Sequence, residues 1–127
     1  MALSVSGFDS AVDYKIVYQS AASTATPVVA DTNVTTTSGT LMSIDVDNTS
    51  GTAVCYLKIF DGVDATPGTS IPQFIFRIPQ ADTQRYQILE GIDFTNLNFW
   101  VTRNASPTDT TPPAVSGGDI KITAVTK

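Results

Sequence analysis

The residue types that usually carry catalysis are thin in this chain, and those present are badly placed for it. There is no histidine among the 127 residues, so Ser-His-Asp and Cys-His arrangements and imidazole zinc sites are excluded. The lone Cys55 lies in the apolar run Ala53-Val54-Cys55-Tyr56-Leu57. A nucleophilic thiolate needs a nearby cation or helix terminus, so Cys55 reads as a small buried hydrophobe on the inward face of a strand. No Gly-rich loop precedes a helix, which removes the phosphate-cradling motifs.

Paired carboxylates are the remaining route to an enzyme. Asp45 and Asp47 occupy alternate positions of one strand face, about 7 Å apart by strand geometry. Glycosidases set two acids across a cleft at roughly 5–10 Å. Here the same face carries small hydroxyl residues, and the expected role is a solvated sheet surface. Asp61 and Asp64 share a turn-rich loop whose spacing differs from the calcium loop of helix-loop-helix proteins. Local hydrogen bonding explains turn aspartates. The sequence reading therefore assigns no catalytic, cofactor or metal residues.

Aromatic residues offer a binding surface instead. Tyr14, Tyr18, Tyr56, Tyr86 and Trp100 are candidates for a sugar or peptide platform. Trp100 falls on the strand face opposite Phe99 and Val101, which leaves two placements: a contact with a neighbouring chain, or cover by loops of its own chain. Trp and Tyr are favoured interface anchors. Trp100, Tyr56, Tyr18 and Tyr14 are accordingly the candidate interface residues.

The elements that must position them are strands. Hydrophobic residues make up 42% of the chain and charged residues only 15%, against about 25% in ordinary domains. Thr, Ser, Asn, Gly and Pro fill the difference, and β-branched Thr suits a half-exposed sheet face. The length fits one domain with a core of its own. A net charge of −5 with scattered lysines and arginines argues against a nucleic-acid partner. No stretch has the length of a membrane span, and no basic-plus-apolar leader opens the chain, so the expectation is synthesis in a reducing cytoplasm.

Period-two alternation predicts strands at 41–47, 54–60, 73–78, 85–89, 97–103 and 120–124. Met42, Ile44 and Val46 are expected to share one face, with Ser43, Asp45 and Asp47 on the other. The turn cluster at 48–52 suggests that the first two strands form a hairpin, with Cys55, Leu57 and Ile59 inward and Lys58 outward. A corner is expected at Glu90–Phe94 and a Pro-rich loop at 106–118. Tyr14–Tyr18 reads as a strand, Pro27–Thr35 as a weaker one, and residues 1–13 as an N-terminal arm. Residues 14–127 then form a single all-β, antiparallel β-sandwich of about seven to eight strands, Ig-like or jelly-roll-like in connectivity.

The runs Thr36–Thr49 and Ala53–Asp61, extended by Glu90–Asn96, resemble small β-sandwich virion proteins of tailed bacteriophages, including phages of cyanobacteria. The resemblance covers residues 36–102, about half the chain, and consists of strand and turn patterns. It implies a capsid cement (decoration) protein, or a component of a tail or fibre with a glycan receptor. It further implies a homo-oligomer (dimer or trimer), assembled in the host cytoplasm, that contacts the major capsid protein or other virion proteins. Neither nucleic acid nor membrane is an expected partner.

Overall fold

A computed structural model of the chain describes residues 2–4 and 16–127. The structure is all-β, with no helix among the described residues, and its strands form two antiparallel sheets. In chain order they are β1 (Ala2–Ser4), β2 (Ile16–Ala21), β3 (Gly39–Asp47), β4 (Cys55–Asp61), β5 (Phe74–Ile78), β6 (Thr83–Phe94), β7 (Leu97–Thr102) and β8 (Lys121–Thr126). One sheet runs β1-β2-β8-β3-β6 and the other β5-β4-β7.

The inner faces follow the alternation of the sequence. Ile44 and Val46 of β3, Cys55, Leu57 and Ile59 of β4, Phe99 and Val101 of β7, and Ile122 and Ala124 of β8 are all buried in one core. Two-sheet packing of this kind removes the apolar half of each strand from water, worth about 25 cal/mol per Å² of apolar surface. The alternation slips once. A register shift between Leu41 and Ser43 turns Leu41 into the core and leaves Met42, the expected inward residue, only half-buried.

Several expectations are corrected by the pairing. β3 and β4 are not a hairpin: β3 pairs with β6 and β8, and β4 with β5 and β7. The 48–52 turn instead passes from one sheet to the other, because its backbone is taken by other segments. Asn48 N–H donates to Asp82 O at 2.8 Å, and Gly51 bridges Val115. Glu90–Phe94 does not break the chain into a corner but continues β6 through an irregularity opposite Leu41. Gly91 makes this possible, since its φ of 77° lies in the region that side chains avoid and a Cβ there would lie 2.2 Å from Thr40 Cγ2.

Pro27–Thr35 forms a loop, not a strand, joined to β7 by a bridge between Asp31 and Phe99. Ala2–Ser4, placed by sequence in the arm, pair with Ile16–Tyr18 as the edge of the larger sheet. The rest of the expected arm, residues 1 and 5–13, lies outside the described residues.

At β7 the smaller sheet is covered on both faces, which explains why all six residues of that strand are buried. Its inner face meets the larger sheet. Its outer face is roofed by loops, where Val28, Ala65 and Trp100 form a second apolar cluster with Ala30 and Phe60.

Candidate contact surface

The aromatic residues do not assemble into a platform. Trp100 is 2% exposed, covered by Val28, Ala30, Phe60 and Ala65 of its own chain. Its ring lies 6.5 Å from that of Phe60 at an interplanar angle of 55°. The proposed interface role of Trp100 is therefore corrected: the strand face opposite Phe99 is roofed by loops, so the indole is a second core centre. Tyr56 sits half-buried in β4 opposite Arg77 and Thr102. Tyr18 lies in the other sheet, packed against the main core, with its hydroxyl donating to Thr35 O at 3.4 Å. Tyr14 lies outside the described residues.

Lys58 corrects a second expectation. It points away from the core as predicted, opposite Trp100, yet it is fully buried. The 103–111 loop closes over it, and Nζ donates to Ser106 O. That loop is tied by the Asp109 carboxylate, which accepts from Asn104 N–H at 3.0 Å and Thr111 Oγ1 at 2.8 Å. Burial pushes the Lys58 ammonium below its ordinary range, and the charge of Asp109 partly opposes this. The unfolded chain thus binds a proton more readily than the folded one. This burden is full below the lowered folded pKa and is relieved as pH rises toward the ordinary lysine value. The difference in urea midpoint between wild type and Lys58→Met is expected to move in favour of the wild type between about pH 7 and pH 10. A difference flat with pH would contradict this placement of the ammonium.

The acids are engaged in structural work. Asp45 accepts from Arg85 Nε at 2.7 Å and from Arg85 Nη2 at 2.9 Å across the β3–β6 pair. Asp47 accepts from Thr49 N–H and Oγ1 at 2.9 and 2.6 Å, which holds its carboxyl below the usual range. A glycosidase acid needs the opposite shift. Asp61 Oδ1 accepts from the amides of Thr95 and Asn96 at 2.9 and 2.8 Å and so fastens the β6–β7 turn to the end of β4. Among the described residues, no three His, Cys, Asp or Glu side chains converge as metal ligands.

Cys55 is buried and its thiol is pushed up to about 12 by desolvation. At about pH 8 that leaves roughly one thiol in ten thousand ionised. Folded protein is expected to resist a disulfide reagent for hours and to react at once in concentrated guanidinium, followed by absorbance of the released thiolate.

What the structure does leave open is one side of the sandwich. β7, an edge of the smaller sheet, is capped by the chain's own loop: Asp31 and Phe99 exchange amide-to-carbonyl bonds of 2.9 and 3.0 Å, and Val34 N–H donates to Leu97 O at 3.0 Å. Among the described residues three edges carry no further strand: the short β1 on one side of the sandwich, and on the other side β5 together with β6. The β5 and β6 edges flank the same opening. They meet at one end, where the Phe76 and Tyr86 rings lie 4.5 Å apart and Tyr86 Oη donates to Arg77 O.

Of the six exposed large apolar side chains, Val29 and Val63 lie in loops and the other four lie on or beside these two edges. Leu89 on β6 is 97% exposed, and Ile71, Phe74 and Ile75 at β5 are exposed as well. Single exposed apolar residues are ordinary, but a group beside unpaired edges is the form of a contact surface. Alternation placed Phe74 and Ile75 on opposite faces of a strand, but that strand's edge position depends on pairings made far along the chain. No family model, curated protein or solved structure matches the chain.

Proposed function

We propose that the chain is a structural protein that works by surface contact, in the first place a cement (decoration) protein of a tailed-bacteriophage head. Its partners in this reading are the major capsid protein or other virion proteins, and further copies of itself as a dimer or trimer. The observation that supports the reading is the open β5/β6 side, where two unpaired edges stand together beside Ile71, Phe74, Ile75 and Leu89.

The physics of the role asks for a rigid body and a contact that does not reorganise it. A two-sheet sandwich with a roofed outer layer provides the first. Unpaired edges provide the second, since a neighbour's strand added to an edge brings main-chain hydrogen bonds together with side-chain contacts. A stable contact of this type buries at least about 1,000 Å² in total, and repetition over a symmetric shell multiplies weak single contacts. The acidic balance favours solubility before assembly.

Cryo-electron microscopy of purified virions is the test. The expected result is density of this sandwich over seams between shell subunits. Density confined to the tail would instead make the chain a tail or fibre component, and absence from the particle would remove the virion reading. A glycan-binding role anchored on Trp100 has lost its exposed indole and is not proposed.

A further inference from the structure

The open side is closed at its Phe76–Tyr86 end but not at the other. There, between the start of β5 and the end of β6, a cavity of about 120 Å³ enters the gap between the sheets. Its floor is made by Leu41, Ile59 and Leu97, all buried core residues, and Phe74 forms one wall. An apolar cavity of about 150 Å³ in a protein core stays dry and accepts benzene. The present one thus has room for one branched aliphatic side chain, and most of its lining is apolar, with Asp61, Gln73 and Asp93 the polar residues.

The mouth is different in character. Asp61 and Asp93 both line it. Asp93 Oδ1 accepts from Thr40 Oγ1 at 2.8 Å, and Asp61 Oδ1 holds the Thr95 and Asn96 amides. The one ion pair among the described residues is Arg85 with Asp45, so neither rim carboxylate is ion-paired with another described residue. An apolar floor under an anionic rim selects a ligand that is aliphatic at its tip and basic beside it.

We infer that this cavity is a socket for an aliphatic side chain carried by an extended, basic segment of a partner protein, which runs along β5 with its Lys or Arg residues against Asp61 and Asp93. The arrangement combines two sources of recognition. The β5 edge supplies backbone pairing without regard to sequence, and the socket with its charged rim supplies the choice of partner. A second copy of this chain is the poorer occupant, because its net charge of −5 repels the same rim. The inference rests on the open side being a contact surface, and not on the assembly being a virion.

The test uses the purified full chain and nitrogen-edited NMR. The probes are the peptide acetyl-Lys-Val-Leu-Val-Lys-amide, versions with Ala in place of Leu and with Glu in place of both Lys, and isopentylammonium. The first peptide is expected to give saturable shifts centred on Ile59, Phe74 and Leu97. Loss of the leucine side chain is expected to weaken binding at least about tenfold, the fold-change that burial of such a group commands. The Glu peptide is expected to be silent at the same concentrations. Asp93→Asn, an exposed change that spares the core, is expected to weaken the first peptide about two- to fivefold.

The inference is overturned if the first peptide leaves these amides unmoved, if the Glu peptide binds as well, or if Asp93→Asn changes nothing. It is also overturned if only isopentylammonium binds, which marks a small-molecule site. The same holds if these amides shift with protein concentration alone, which marks a second copy. A negative peptide result with the chain still found on heads would sink the socket and spare the cement role. Peptide binding by a chain absent from particles would do the reverse.

Discussion

Trp100→Ala is expected to destabilise the fold by about 3–5 kcal/mol, the cost typical of removing a buried indole. The side chain is covered by Val28, Ala30, Phe60 and Ala65, so truncation leaves a void under loops that have little other apolar anchorage. Val28 N–H donates to Thr110 O at 3.1 Å, so a loosened roof also reaches the 103–111 loop that covers the Lys58 ammonium. For a chain of this length the Tm is expected to fall by roughly 10–20 °C. Urea unfolding followed by circular dichroism measures the change without relying on the deleted fluorophore. A loss below about 1 kcal/mol would mean that Trp100 is a surface residue after all, and the aromatic contact surface would return as a candidate.

The second large effect is expected at the passage between the sheets. Asn48 is fully buried, and its Nδ2 donates to Ala53 O at 3.1 Å and Pro79 O at 2.8 Å. One side chain therefore joins the end of β3 to the start of β4 and the end of β5. Asn48→Ala removes the donor from the carbonyls of half-buried Ala53 and Pro79, at about 1–3 kcal/mol each where water does not replace it. A net loss of about 2–4 kcal/mol is expected in urea denaturation. Gly51 lies against the same amide: a Cβ built on it would stand 1.8 Å from Asn48 Oδ1. Gly51→Ala alone is expected to cost at least about 2 kcal/mol by forcing Asn48 out of place. In the Asn48→Ala background the added methyl has room, and the two changes are expected to sum to less than their separate costs. Strict additivity would show that the two positions do not share this packing.

These two sites mark where sequence reasoning ran out. Alternation shows which side chains share a face: Cys55, Leu57 and Ile59 were expected inward and are buried, as are the face-sharing pairs Ile44 with Val46 and Phe99 with Val101. It is silent on which sheet a strand joins. The 48–52 turn looks like any hairpin turn by composition, and only its bonds to Asp82 and Val115 send β4 to the other sheet. Alternation also cannot reveal whether a polar-facing row is later roofed. Lys58 and Trp100 face outward on neighbouring strands, and both are buried because segments distant in sequence fold over them.

The slip at Leu41 has a local cause that a strict period-two count cannot see, a register irregularity opposite the positive-φ Gly91. The candidate contact side was equally hidden. Phe74, Ile75 and Leu89 are ordinary strand residues by type, and their significance comes from β5 and β6 being the strands left without partners on one side.

In the proposed function this open side is where the chain meets its neighbours. Amide hydrogen exchange of the free chain and of the chain bound to purified heads, read by mass spectrometry, tests it directly. Slowed exchange is expected in Phe74–Ile78 and Thr83–Phe94 on binding, with β2 and β8 unchanged. Protection centred on β2 and β8, with β5 and β6 exchanging as before, would contradict it.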